Sequence, residues 1–138
     1  MFVLDTHVVS ELRKPVRANA HVSEWAARIS SAQLYLSAMT VLELELGVLR
    51  MERKDRRQGA ELREWMDGKV LQEFAGRILP FDTGVARCCA GLHVPNPMPE
   101  RDAMIAATAL VHGMTLVTRN VRDFQCANVN LFNPWLPA

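Results

Sequence analysis

Short apolar runs alternate along the chain with stretches that have a helical pattern. Each run is bounded by polar or turn-forming residues, as expected of strands buried in a sheet. The runs cover residues 2–4, 34–37, 78–81, 115–118 and 129–132. Strands that alternate with helices are typical of a parallel sheet covered on both faces. The pattern therefore predicts an α/β fold, a three-layer α/β/α domain with a mainly parallel sheet of about five strands.

The segments between these runs carry apolar residues at helical spacing. Val22, Trp25, Ala26 and Ile29 repeat at i, i+3, i+4 and i+7, which would place them on one face of a helix. The first helix is expected to end before Pro15, because a proline disfavours helix at the residue before it. The predicted helices cover residues 6–12, 19–30, 40–54, a segment around 62–74, 83–93 and 102–112.

Length and composition narrow the class of protein. The chain has 138 residues, 49% of them hydrophobic, so residues 1–138 are expected to form one domain with a real core. The net charge of +1 means that nucleic-acid binding would need a local basic patch. An odd count of three cysteines, without metal-ligand spacing, indicates a reducing, cytoplasmic location. We expect neither secretion nor membrane insertion, since neither a leader nor an apolar run long enough to cross a bilayer is found.

Two acids follow the first two predicted strands. Asp5 ends the first apolar run, and open α/β sheets bind ligands beyond the carboxyl ends of their strands. Asp5 is equally suited to capping the next helix. Glu43 follows the second run, and Thr40-x-x-Glu43 matches a capping box in which Glu43 would accept from the Thr40 amide. Spacing alone favours the cap for Glu43.

Further polar residues occupy corresponding positions later in the chain. Asp102 begins the helix after a proline-rich loop, where its charge would also stabilise the helix N-terminus. Asn120 and Asp123 follow the fourth run and would also suit a turn. Acids gathered at one sheet edge repel each other unless a cation neutralises them. Oxygen ligands suit Mg²⁺ or Mn²⁺, and such an ion supports hydrolysis of a phosphodiester.

Several segments, in order along nearly the whole chain, resemble the PIN-domain toxins of the VapC and FitB type. These segments are Leu4-Asp-Thr-His-Val-Val-Ser-Glu-Leu12, Ser37-Ala-Met-Thr-Val-Leu-Glu43, Phe74-Ala-Gly-Arg-Ile-Leu-Pro-Phe-Asp82, Asp102-Ala-Met-Ile-Ala-Ala-Thr-Ala109, Val117-Thr-Arg-Asn120 and Phe132-Asn-Pro-Trp135.

The resemblance implies a Mg²⁺- or Mn²⁺-dependent endoribonuclease, the toxin of a type II toxin–antitoxin pair. Asp5, Glu43 and Asp102 match the three core acids of the family, and the fourth acidic position falls on Asn120. Asp5 and Asp102 would be the most direct metal ligands. The implied partners are RNA as substrate and a VapB- or FitA-type antitoxin, through which the pair would bind operator DNA. A homodimer or larger assembly is also implied, for which Trp25 and Trp65, with Leu62, would offer apolar surface.

The chain departs from the family pattern at two positions. Asn120 can offer a carbonyl oxygen but brings no charge, and Asp123 is a candidate to supply that charge. His7 stands where family members usually carry asparagine. Imidazole is bulkier and gains a positive charge in mildly acidic solution, so we expect weaker metal affinity at acidic pH if His7 faces the site.

The residues that would bind the substrate are less clear from the sequence. Five basic side chains are expected near the same sheet edge, either to bind RNA phosphates or to serve solubility or pairing with an antitoxin acid. They are Arg13, Lys14, Arg17, Arg119 and Arg122. The mixed-charge run 50–57 is interpreted instead as a solvated tip between two helices. Two other functions remain open: a PIN fold impaired at His7 and Asn120 that only assists a repressor, and a nuclease directed at DNA.

Overall fold

A parallel sheet lies at the centre of the molecule. The computed structural model describes residues 1–14 and 16–138. The first helix ends at Leu12, which confirms the predicted end. Within these ranges one sheet has five strands, all parallel, in the order β3-β2-β1-β4-β5. The strands are β1 (Phe2–Leu4), β2 (Leu34–Ser37), β3 (Ile78–Leu79), β4 (Thr115–Val117) and β5 (Leu131–Phe132). The predicted fold class and sheet are confirmed, with β3 and β5 shorter than expected.

Helices cover both faces of this sheet. Successive strand residues point to opposite faces, and accordingly Val3 packs in one hydrophobic cluster and Leu4 in the other. The helices are α1 (Thr6–Leu12), α2 (Ala20–Arg28), α3 (Ala38–Lys54), α4 (Arg56–Trp65), α5 (Leu71–Glu73), α6 (Thr83–Leu92), α7 (Glu100–Val111) and α8 (Val121–Phe124). Core residues of α1 to α4 pack on the Leu4 side, and those of α6 to α8 pack on the Val3 side. This is the predicted three-layer arrangement.

Glycines stand at two of the turns that lead into strands. Gly76 precedes β3 with a φ of 79°, and Gly113 follows α7 with a φ of 64°. L-residues with a side chain rarely adopt these angles, so glycine lets the chain turn from helix into strand there. The single helix predicted around residues 62–74 begins earlier, at Arg56, and passes through a π-helical stretch, Met66–Val70, before α5.

Helices α3 and α4 form a tightly packed antiparallel pair. Gly59 is buried, and a Cβ built on it would lie 2.4 Å from the Cα of Glu52. Arg63 bridges the same two helices with bonds of 2.8 and 2.7 Å to the two carboxylate oxygens of Glu45. Asp55 ends α3 and caps α4 by accepting from the amide of Gln58. The predicted solvated tip is therefore confirmed around Asp55, and Arg50 is also exposed.

One expectation about the surface is wrong. Trp25 is only 6% exposed, because its ring packs edge-on against Phe2 and also contacts Phe132, with centroids 5.4 Å away in both cases. Trp25 therefore belongs to the core beneath α2 and offers little surface to a second copy. Trp65 and Leu62 are partly buried.

Candidate active site

Asp5 lies at the carboxyl end of the central strand and is only 5% exposed. Its Oδ2 accepts from the Thr118 hydroxyl at 2.8 Å, and its Oδ1 accepts from the Thr6 amide at 2.8 Å. Asp5 is thus the N-cap of α1, as the capping interpretation requires, and it also lies at the sheet edge; its role as a site residue stays a prediction. Thr118 follows β4, the strand beside β1, which is why its hydroxyl reaches Asp5.

Glu43 is turned toward Asp5 and does not form the predicted capping box. Ser37 takes the N-cap of α3 instead, and its hydroxyl accepts from the Thr40 amide at 3.1 Å. The capping-box interpretation is therefore wrong, because the amide that Glu43 would have bound already has a partner. Glu43 Oε1 accepts from the Thr6 hydroxyl at 2.6 Å. This contact ties α3 to the first turn of α1.

Asp102 and Asn120 approach the same edge from the other side. Asp102 lies in the first turn of α7, which begins at Glu100, slightly before the predicted start. Asn120 precedes α8, and its backbone N–H donates to the Thr118 hydroxyl at 3.0 Å. The same threonine therefore positions both Asp5 and the backbone of Asn120.

These four side chains line one cavity of about 270 Å³. His7 also lines it, so this side chain does face the site. Asp123 lies outside the cavity lining, although its charge acts on Asp102. The structure thus brings together all four predicted site residues and leaves Asp123 at the margin.

The acids affect one another electrostatically. Burial raises the pKa of the Asp5 carboxyl, while the hydrogen bonds from Thr118 and Thr6 act in the opposite direction. The pKa of Asp102 is also raised, first by burial and then by the charges of Asp5, Asp123 and Glu43. Burial and neighbouring negative charge both disfavour the ionised form of a carboxyl group. A positive charge placed among them would lower both.

The positive side chains at the cavity are not the ones expected from the sequence. Arg50 and Arg101 line it, and Arg101 Nη1 lies 3.7 Å from Glu43 Oε2. Arg50 could have been found from its spacing, because it follows Glu43 by two helical turns on the same face of α3. Arg101 offered no such signal, since its partner lies on a different helix.

Three of the predicted basic residues contact side chains away from the acidic cavity. Arg13 lies over the Trp65 ring at 5.8 Å, and Arg119 lies over the Trp135 ring at 5.4 Å. Lys14 pairs with Glu11 at 3.5 Å. None of the five predicted basic residues lines the acidic cavity. They lie outside this cavity, but Arg13 and Lys14 line a depression beside it, and their role toward RNA phosphates stays a prediction.

The donor set of the cavity fits a hard divalent cation. Three carboxylates and the side-chain amide of Asn120 offer oxygen ligands, which Mg²⁺ and Mn²⁺ prefer. His7 is the one nitrogen ligand beside them. Among residues 1–14 and 16–138, no three His, Cys, Asp or Glu side chains already stand as a formed metal site. The fit therefore rests on the chemistry of the donors, and a bound cation would offset the negative charges that raise the pKa of Asp102.

Comparison with known proteins agrees with this geometry. The model of the PIN domain family matches residues 2–127, and the chain belongs to that family. It is 41% identical to VapC ribonuclease Y4jK of Sinorhizobium fredii, over 100% of both chains. It is 40% identical to Toxin FitB of Neisseria gonorrhoeae, over 98% of this chain and 99% of the relative. The resemblance to the VapC and FitB type is therefore confirmed.

Solved structures support the same assignment. A chain of the structure of FitAB bound to an IR36 DNA fragment aligns with a TM-score of 0.90 and 38% identity, covering 100% of this chain and 98% of that one. The structure of FitAcB from Neisseria gonorrhoeae aligns with a TM-score of 0.89, covering 98% and 99%. Within the described part of the chain, none of the helices is both long and apolar enough to span a membrane.

Proposed function

We propose that this protein is the toxin component of a type II toxin–antitoxin system and a divalent-metal-dependent endoribonuclease, a hydrolase of RNA phosphodiester bonds. The observation that carries the proposal is the cavity at the carboxyl edge of the sheet, which Asp5, Glu43, Asp102 and Asn120 line together. Support comes from full-length relatives named as a VapC ribonuclease and as Toxin FitB.

The proposed roles follow from the contacts of each side chain. Asp5 and Asp102 would hold Mg²⁺ or Mn²⁺, and the bound ion would polarise a phosphoryl oxygen and acidify a water molecule. Thr118 fixes Asp5 and Thr6 fixes Glu43, through bonds of 2.8 and 2.6 Å. Two of the carboxylates are therefore oriented before any substrate arrives. Glu43 would orient the ion or the water, and Asn120 would accept a bond through its amide oxygen.

We also propose that the partner is a VapB- or FitA-type antitoxin, through which the pair would bind operator DNA. A depression lined by Thr6, Glu43, Arg13 and Trp65 adjoins the acidic cavity. Trp65 and Arg13 also line a mostly apolar groove of about 480 Å³ between α1 and the α4–α5 segment. An antitoxin segment with apolar side chains and a terminal basic residue would match this path. FitAB bound to DNA is the structural precedent for such a complex.

The experiment that tests the enzymatic proposal compares cleavage of a mixed RNA pool with Mg²⁺, Mn²⁺ or EDTA. The variant is Asp5→Asn, and the matched control is Asp67→Asn, which changes an exposed acid that contacts Arg63 at 3.5 Å, away from the cavity. We expect metal-dependent cleavage that Asp5→Asn abolishes and Asp67→Asn retains. Single-stranded DNA of the same sequences is included, and faster cleavage of DNA than of RNA would contradict the assignment of RNA as substrate.

A second candidate is a catalytically impaired PIN-fold binding subunit that acts with the DNA-binding antitoxin in operon repression. It is favoured by the uncharged Asn120 and by His7, since both line the cavity. It predicts that the folded protein, freed of antitoxin, cuts no RNA with any divalent ion. It also predicts that the antitoxin complex still binds operator DNA.

A further inference from the structure

One ion pair crosses the mouth of the acidic cavity. Arg101 Nη1 on α7 lies 3.7 Å from Glu43 Oε2 on α3. The Arg101 side chain is 49% exposed and that of Glu43 is 25% exposed. Arg101 directly precedes Asp102, so the same helical turn brings both a candidate metal ligand and a positive charge to the cavity.

Each carboxylate oxygen of Glu43 has a partner. Its Oε1 accepts from the Thr6 hydroxyl at 2.6 Å, and its Oε2 faces Arg101. A divalent cation among the acids would attract the same carboxylate. Arg101 and such an ion are therefore alternative counterions for Glu43, and they also repel each other.

Arg101 is suited to a second ligand once it is released. A guanidinium has five N–H donors arranged to bind phosphate in a bidentate manner, and the contact with Glu43 uses one nitrogen at a long distance. Because the side chain is half-exposed, it can be redirected at little cost. Arg50 lines the same cavity from α3, so a phosphate held there would lie near two guanidinium groups.

We propose that Arg101 is an internal counterion of Glu43 and becomes a phosphate-binding residue for RNA when a divalent cation replaces it at Glu43. In the metal-free protein, Arg101 neutralises one acid of the cavity. In the loaded protein, Arg101 contacts the RNA backbone beside the carboxylates. This inference rests on the proposed function, because it takes RNA as the ligand.

The test is a double-mutant cycle that needs no metal. Binding of a fluorescein-labelled single-stranded RNA is measured by anisotropy in EDTA for the wild type, Glu43→Gln, Arg101→Gln and the double variant. Arg57→Gln and Glu61→Gln form the matched control cycle, since this exposed pair lies 3.8 Å apart on α4. Arg101→Lys, which keeps the charge, is a second variant, and thermal unfolding confirms that each protein is folded.

We expect Glu43→Gln to strengthen RNA binding by releasing Arg101. Arg101→Gln should weaken binding by about twofold in the wild-type background and by about tenfold in the Glu43→Gln background, because only there is the guanidinium free. In the Glu43→Gln background, Arg101→Gln should also reduce the slope of log K against log salt concentration by about one, as for the loss of one phosphate contact. Arg101→Lys should retain most of that slope, and the control cycle should show no coupling.

A second measurement uses Mn²⁺ alone. Arg101→Gln should bind Mn²⁺ about two- to fivefold more tightly than the wild type, because the competing positive charge is gone. Equal or weaker Mn²⁺ binding would overturn the counterion role. An equal cost of Arg101→Gln in both backgrounds, or a Glu43→Gln variant that binds RNA no more tightly than the wild type, would overturn the phosphate role.

The two proposals fail in different ways. A wild type that cuts RNA with Mn²⁺ while the cycle shows no coupling would refute the role of Arg101 and leave the nuclease proposal intact. A wild type that cuts no RNA, with an Arg101→Gln variant that binds Mn²⁺ more tightly, would refute the nuclease proposal and leave the counterion role intact.

Discussion

Replacing Thr118 with valine should reveal the energetic cost of holding a buried charge at the sheet edge. Thr118 is fully buried, and valine has nearly the same shape. The change removes the donor to Asp5 Oδ2 at 2.8 Å and the acceptor for the Asn120 amide at 3.0 Å. A hydrogen bond to a charged group contributes about 1.5–3 kcal/mol. Asn120 is itself exposed, so its backbone N–H can bind water instead. We therefore expect a loss of about 2–3 kcal/mol in the free energy of unfolding.

This loss should depend on pH, because the Thr118 hydroxyl stabilises the ionised form of Asp5. The bond lowers the pKa of Asp5 against the larger effect of burial, so its removal should raise that pKa further. The stability that the bond contributes is present when Asp5 is ionised and is lost as pH falls through the pKa of the folded protein. The difference between Thr118→Val and the wild type should therefore shrink between about pH 7 and pH 4.

Urea unfolding followed by tryptophan fluorescence at both pH values measures this difference. Thr118→Ser is the control, because it keeps the hydroxyl and loses one methyl group, at a cost of about 1 kcal/mol. A penalty for Thr118→Val that is the same at both pH values would refute the reasoning. A serine variant as unstable as the valine variant at neutral pH would show that packing, not the hydroxyl, is responsible.

Two further predictions concern other parts of the molecule. Gly59→Ala should lower the free energy of unfolding, measured in urea, by about 1–3 kcal/mol, because the new Cβ would lie 2.4 Å from the Glu52 Cα. The control is Gly91→Ala, which should not be destabilised because nothing lies within 4 Å of its Cβ. Equal losses in the two variants would contradict the close approach of α3 and α4. His7→Asn should bind Mn²⁺ more tightly than the wild type, because the smaller asparagine offers an oxygen ligand in place of the bulkier imidazole. Calorimetric titration measures the two affinities, and equal affinities would remove any role for His7 in metal binding.

The parts of the fold that the sequence predicts are those decided by local burial. Val3 and Leu4 are fully buried, as are Leu116 and Val117, so uninterrupted apolar runs were a reliable sign of central strands. The edge strands β3 and β5 are only two residues long. At an edge, polar and apolar residues can both occur, and the pattern therefore overestimates strand length. Asp5 could be placed correctly because it directly follows a strand whose position was clear.

The side-chain contacts of the site could not be predicted in the same way. Ser37 and Thr40 both carry hydroxyl groups, and the sequence does not show which one will cap α3; the structure selects Ser37, where β2 ends. The approach of Arg101 to Glu43 depends on the packing of α7 against α3. Trp25 was assigned to the surface because helical spacing alone does not show that Phe2 and Phe132 close over it.

The hydrogen bond between Thr118 and Asp5 joins residues 113 positions apart in the chain. Contacts between distant residues form late, since a long loop must close first, and they slow folding. During synthesis, β1 emerges long before β4, and until β4 pairs beside it Asp5 lacks its hydroxyl partner and Asp102 has no fixed place opposite. A growing chain on the ribosome therefore carries the acids without the arranged cavity. We expect the completed site to appear only when the last strands dock.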